Sequence, residues 1–128
     1  MRKSLTKRER ISKRSDLKRV FGSQRQVSLS GVKLKVRENG LEWSRLAISL
    51  SRRFGNAVQR NRAKRVVRET YRNLKGDLLP GYDVAVILYP NASESVRRRD
   101  GLEYLFRKAG LLEMSPSQFA DSDRTVDA

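Results

Sequence analysis

The stretch Arg52-Arg53-Phe54-Gly55-Asn56-Ala57-Val58-Gln59-Arg60-Asn61-Arg62-Ala63-Lys64-Arg65-Val66-Val67-Arg68-Glu69-Thr70-Tyr71-Arg72-Asn73-Leu74-Lys75 holds nine basic residues against one acid, yet keeps a regular apolar spacing. Asn56 followed three residues later by Gln59 reads as an N-cap with its capping-box partner, each side chain accepting from the other's backbone N–H. Ala63, Val66, Val67, Thr70 and Leu74 recur at three- and four-residue spacing, which predicts a helix with one buried face. Gly76, just past the last periodic residue, suits a left-handed C′ position. Asn61, Arg65, Arg68 and Arg72 advance by four, three and four, with Lys64 and Lys75 beside them, forming a cationic stripe roughly opposite the buried one.

A solvated helix face ordinarily mixes signs, because Arg beside Arg at helical spacing repels, and here only Glu69 relieves the repulsion. A partner with regularly spaced negative charge removes that cost, and nucleic acid is such a partner. The rest of the chain agrees. A formal charge of +15 over 128 residues concentrates polyanions around one domain with a single core. There is no cysteine and no histidine, so thiolate zinc sites, disulfides and the commonest general base are excluded. Carboxylates with magnesium remain as nuclease chemistry, but the close pairs Asp121/Asp123 and Glu38/Glu42 fall in a polar tail and a turn. No hydrophobic run approaches membrane-spanning length, and Met1-Arg2-Lys3-Ser4-Leu5 lacks a signal's apolar core, so a cytoplasmic protein with no membrane partner is expected.

Residues 1–14 carry seven Lys/Arg and one Glu, and read as a flexible basic arm. Ser15 is placed to cap a short helix that Gly22 ends, with Leu17, Val20 and Phe21 on one face. From Val32 the period becomes two: Val32, Leu34 and Val36 alternate with Lys33, Lys35 and Arg37 in a strand with one basic face. Glu38-Asn39-Gly40 suits a hairpin-like reversal into a second strand, Arg45 to Ser51, whose small polar positions beside the basic face suggest a groove for a polyanionic chain. Tyr82 to Leu88 is nearly all apolar apart from Asp83 and fits an interior strand. Strand, helix and strand in that order predict a βαβ unit with parallel strands. A last helix follows Ser93 or Ser95, with Leu102, Leu105, Phe106 and Ala109 inward. Residues 15–112 are thus the folded, RNA-binding domain, and residues 113–128, net acidic, a disordered tail.

Phe54-Gly55-Asn56-Ala57-Val58-Gln59-Arg60-Asn61-Arg62-Ala63-Lys64-Arg65-Val66-Val67-Arg68-Glu69 resembles the pattern of the bacterial ribonuclease P protein component: a Gly-x-Ala/Val opening, then Arg-Asn-x-x-Lys-Arg-x-x-Arg. The resemblance extends to the short helix ending in Phe21, the Ser-Arg-Leu-Ala-Ile-Ser strand, Gly81-Tyr82-Asp83 and Leu102 to Lys108, covering roughly residues 7–112. It implies an α+β fold, a single-domain α/β sandwich ordered helix–strands–helix–strand–helix, with a left-handed βαβ crossover, a rare exception to the usual hand. It also implies that an RNA subunit, with magnesium bound mainly by that RNA, hydrolyses precursor tRNA, so the protein carries no catalytic residue. Arg52, Arg53, Arg60, Asn61, Arg62, Lys64, Arg65 and Arg68 would bind that catalytic RNA in a 1:1 complex. Leu17, Phe21, Lys33, Lys35, Ser49 and Tyr89 would face the single-stranded 5′ leader. Two positions depart from the pattern. Leu17 stands where relatives often carry an aromatic residue, and Tyr89-Pro90-Asn91 stands where they often carry Arg/Lys, which offers a ring for stacking in place of a phosphate contact.

A non-catalytic, ribosomal-type RNA-binding protein explains the charge and fold as well, and predicts rRNA as the co-purifying partner. A protein-only nuclease has no residues to support it. DNA is not expected as a partner, since no helix-turn-helix or dimer seam accompanies the basic helix.

Overall fold

The computed structural model describes residues 7–90, 92 and 99–112. In chain order they form a 3-10 turn, Lys7–Glu9; helix α1, Arg14–Phe21; strands β1, Gln26–Leu29, β2, Val32–Glu38, and β3, Arg45–Leu50; helix α2, Ala57–Leu74; strand β4, Tyr82–Leu88; and helix α3, Arg99–Lys108. This is the expected α+β class, with three helices around one four-stranded sheet. The tail expected over residues 113–128, and the start of the last helix at Ser93 or Ser95, lie outside the described residues.

Helix α2 forms where the apolar spacing puts it. Asn56 Oδ1 accepts from the Gln59 N–H at 2.9 Å, and Gln59 Oε1 accepts from the Asn56 N–H at 2.9 Å, closing a capping box made of two neutral side chains. Gly55 holds a φ of 54°, and a Cβ there would run into the Gln59 side chain, so the box needs glycine before its cap. The buried face is Ala63, Val67, Thr70, Tyr71 and Leu74. Val66 is only half-buried, and Tyr71 takes the inner place, its ring 6.0 Å from that of Phe106 on α3. Gly76 is not left-handed as expected: Lys75 keeps right-handed dihedrals, and the Asp77 and Leu78 N–H groups both return to the Leu74 carbonyl.

The sheet order is β1-β2-β4-β3. β3 and β4 are parallel, as the strand–helix–strand order requires, and β4 runs antiparallel to β2. The reversal expected at Glu38-Asn39-Gly40 is therefore not a hairpin, because β4 lies between β2 and β3. Asn39 instead turns the chain locally, its Oδ1 accepting from the Leu41 N–H at 2.7 Å. The hairpin is β1–β2, through Ser30 (φ 45°) and Gly31 (φ 84°), a two-residue turn with both residues left-handed.

Val32, Leu34, Val36, Leu46, Val84, Val86 and Leu88 face α2 and α3 in the main core, where Leu102, Leu105, Phe106 and Ala109 meet them. On the other face α1 covers β2 and β4, and Val20 and Ile11 bury Ala47 and Ala85. The sheet is thus the middle of three layers.

The flexible arm expected over 1–14 is docked over its second half. Arg10 pairs with Leu46 as a parallel bridge along the outer edge of β3, with the Ile11 N–H donating to the Leu46 carbonyl at 3.1 Å. Trp43 Nε1 donates to the Arg8 carbonyl at 3.0 Å while the Arg8 guanidinium lies 4.5 Å from the centre of the indole. Lys75 pairs with Glu9 at 3.2 Å. Unpaired β3 backbone groups are the physical reason: an exposed edge strand takes a partner, and the chain end supplies one. The docked segment leads into α1 at Arg14, ahead of Ser15, and the N-cap residue, Lys13, makes no side-chain cap.

Candidate nucleic-acid interface

Turning the buried face of α2 toward the core leaves Asn61, Arg62, Arg65 and Arg68 exposed on its outer side, with Arg52 and Arg53 exposed on the loop before it. Arg60 is different. It is half-buried, and its Nη1 donates to the Ser51 carbonyl at 2.9 Å and the Phe54 carbonyl at 3.2 Å, so this guanidinium fastens the β3–α2 loop to the helix. Its remaining nitrogens alone are left for a partner.

Lys64 and Arg68 turn toward a second surface. Together with Arg10, Leu17, Phe21 and Ser49 they line a groove of about 410 Å³ between α1, α2 and edge strand β3, whose residues Leu46, Ala47 and Ile48 run along it. Leu17 and Phe21 serve two ends there, packing partly on the α1 cluster and partly forming the groove wall. The sequence grouped Lys64 and Arg68 with the outer stripe and Leu17, Phe21 and Ser49 with a leader groove; the structure brings five of these residues to one place.

Lys33, Lys35 and Tyr89 stand elsewhere. Lys35 Nζ donates to the Phe21 carbonyl at 2.6 Å, securing the last turn of α1 to β2, which uses one of the three donors of its ammonium. Lys33 and Tyr89, with Ser28, Ser30 and Gly31, line a notch of about 220 Å³ beside the β1–β2 turn. The Lys33 ammonium lies 5.7 Å from the centre of the Tyr89 ring. A cross-strand row, Ser28–Lys33–Ile87–Ser49, joins notch to groove on the α1-facing side of the sheet.

What holds α1 over this face is largely ionic. Asp83, buried at 1% exposure, accepts from Arg45 Nε at 2.8 Å and Nη2 at 2.7 Å and from Asn39 Nδ2 at 2.9 Å. Arg45 Nη1 reaches Asp16 of α1 at 3.3 Å. The hydrogen bonds Arg45 donates to Asp83, with that carboxylate's charge, raise the Arg45 pKa further, against the opposing effect of burial. Sequence reasoning missed Arg45 and Arg10. The one signal for the first was the lone acid, Asp83, inside an apolar run. Nothing local marked the second, which reaches the groove only because the chain end pairs with β3. Among the described residues no three acidic, histidine or cysteine side chains gather to hold a metal ion, and no helix is long and apolar enough to cross a membrane.

A family model described as Ribonuclease P matches residues 5–110. The chain is 39% identical over 100 residues to the ribonuclease P protein component of Thermotoga maritima, covering 78% of this chain and 86% of that one. It is 32% identical over 115 residues to the ribonuclease P protein component of Caldanaerobacter subterraneus subsp. tengcongensis, covering 88% and 97%. Among solved structures, the RNase P protein of Staphylococcus aureus matches with a TM-score of 0.74 at 29% identity, over 82% of this chain and 98% of that one. The RNase P protein of Thermotoga maritima matches with a TM-score of 0.66 at 35% identity, over 77% and 96%.

Proposed function

The chain belongs to the ribonuclease P protein component family, and from that premise we propose that it binds a catalytic RNA subunit and the single-stranded 5′ leader of precursor tRNA. The catalytic RNA takes the outer face of α2, through Asn61, Arg62 and Arg65, with Arg52, Arg53 and the free side of Arg60 beside it. The leader enters the groove, against Leu17, Phe21 and Ser49. Lys64 and Arg68 stand on the wall between the two surfaces and serve both. The complex is 1:1 and cytoplasmic, and hydrolysis belongs to the RNA subunit with its magnesium. The protein's own part is to hold RNA: guanidinium and ammonium groups neutralise phosphates, and the groove keeps an unpaired strand extended.

The observation that carries this reading is the shared wall, where cations of the basic helix line a groove that also offers apolar side chains. Reconstitution tests it. RNA-free protein should cleave nothing, and adding it to the catalytic RNA at low magnesium should raise cleavage of precursor tRNA. Arg65→Ala should weaken docking to the RNA while changing fold stability by no more than about 0.5 kcal/mol, as for an exposed position. Cleavage by the protein alone sinks the assignment, and an unfolded Arg65→Ala protein sinks the assignment of helix faces. Co-purification with rRNA alone returns the ribosomal-type alternative.

A further inference from the structure

Helix α2 and the last described residues are tied together at one end. The Leu78 N–H returns to the Leu74 carbonyl, and the Leu79 N–H donates to the Leu111 carbonyl at 2.9 Å. Leu111 and Leu112 are buried in the same cluster as Tyr71 and Leu74, so the chain leaves the folded body beside the C-terminal end of α2. Beyond that point, residues 113–128 carry Glu113, Asp121, Asp123 and Asp127 against a single base, Arg124. The 18 residues of α2 measure about 27 Å. The nine residues from Leu112 to Asp121 span about 30 Å when fully extended. Every turn of α2 therefore lies within reach of Asp121, Asp123 and Asp127, whereas Glu113 reaches only the last. The face they reach is short of acids. Among the described residues Arg62, Arg65 and Arg68 are exposed and make no ion pair, while Lys75, at the near end, holds Glu9. The first turn of α2 contains no acid either, although the helix dipole favours one there.

We propose that residues 121–127 lie along the outer face of α2 in the RNA-free protein, the carboxylates of Asp121, Asp123 and Asp127 among Arg62, Arg65 and Arg68, and that the catalytic RNA displaces them. This rests on the assignment of that face to the catalytic RNA. Arginines at three- and four-residue spacing repel one another, and a tethered anion relieves that repulsion until RNA takes its place. The tether holds the acids near the helix at an effective concentration in the millimolar range, while each exposed pair is weak. The face is thus covered and easily uncovered. The same segment of a second copy competes poorly, because two bodies this basic repel. Such a mask lowers the affinity of every ligand of α2 by one factor. Polyanions that bind weakly are then shed and RNA that binds tightly is kept, so the acids lend selectivity to a surface that reads only charge.

The test uses the full chain, whose lack of cysteine makes single-site labelling direct. A spin label on Ser122→Cys should broaden the amide signals of Arg62 to Arg68 in the free protein, and adding the catalytic RNA should restore them. The triple variant Asp121→Asn, Asp123→Asn, Asp127→Asn should bind the catalytic RNA about threefold to tenfold more tightly than wild type at low salt, as expected for three weak pairs. It should bind an unrelated single-stranded RNA more tightly by the same factor. The two proteins should converge as salt rises, because exposed pairs are screened. Unbroadened α2 signals, or equal affinities at every salt concentration, overturn the mask and leave the RNA assignment standing. Broadening that the catalytic RNA fails to relieve overturns the assignment of α2 to that RNA, and the displacement with it. Broadening seen only between differently labelled copies places the contact between molecules and overturns the intramolecular mask.

Discussion

Val36, Val84 and Leu46 form one cross-strand row and face α2 and α3; Arg37, Asp83 and Arg45 form the next row and face the side of α1. One residue along the same three strands, the character of the sheet inverts. Toward α2 and α3, eighteen described residues join a buried apolar cluster; toward α1 only Ile11, Val20, Ala47 and Ala85 do. The α1 face is completed by ions and backbone contacts: Asp83–Arg45–Asp16, and Lys35 on the Phe21 carbonyl. The contrast separates two tasks. A dry, interlocked layer supplies cohesion, and leaves the opposite layer free to keep a groove and a notch open, which a fully packed face would fill.

Substitutions in the two layers test that division. The largest effect belongs to the apolar side. Phe106, 1% exposed, packs against Tyr71, and Phe106→Ala should cost about 3–5 kcal/mol, lowering the urea midpoint of the whole transition. A loss under 1 kcal/mol would mean that cohesion does not reside there. Next comes Asp83→Asn, which leaves the buried side of Arg45 without its counter-charge. Breaking a buried pair costs about 3–5 kcal/mol, and Asp16 still beside Arg45 puts the expectation at the low end, about 3 kcal/mol. That variant should also lose affinity for leader-bearing precursor more than for the catalytic RNA, because α1 forms a groove wall and α2's outer face does not depend on it. Equal losses for both ligands would erase the distinction between the two faces.

The comparison also explains what the sequence could disclose. α2 was legible almost to the residue, because its cap, period and charge are all written within one local stretch, and the parallel pairing of β3 and β4 followed from having a long helix between two strands. The sheet order was not legible, since inserting β4 between β2 and β3 is a non-local choice that the Asn39-Gly40 turn obscured. β1 was missed because Gln26-Val27-Ser28-Leu29 has only two apolar residues and exists as a strand by pairing with β2. The docked segment 7–13 looked like a basic coil; its stability lies in Trp43, Leu46 and Lys75, more than thirty residues away. A helical wheel placed Lys64 and Arg68 relative to the core, but only the position of α1 decides that they overlook a groove. The same holds for Lys33 and Lys35, which share a sheet face as expected yet meet different neighbours, because Phe21 ends its helix above one of them.

The capping box of α2 has a consequence for evolution. The positive end of a helix dipole favours an acid, yet the first turn of α2 contains none, and both members of the box are amides. Gln59→Glu keeps the acceptor geometry and adds a charge between the dipole and the arginines nearby, so it should stabilise the fold by about 0.3–1 kcal/mol. It should also weaken attachment to the catalytic RNA, because the new carboxylate would repel phosphate at the start of the proposed docking surface. Paired melting curves and RNA titrations of this single variant read both effects, and a variant that gains stability without losing RNA would break the link. Both effects together would identify the neutral box as a point where stability and positive potential oppose each other.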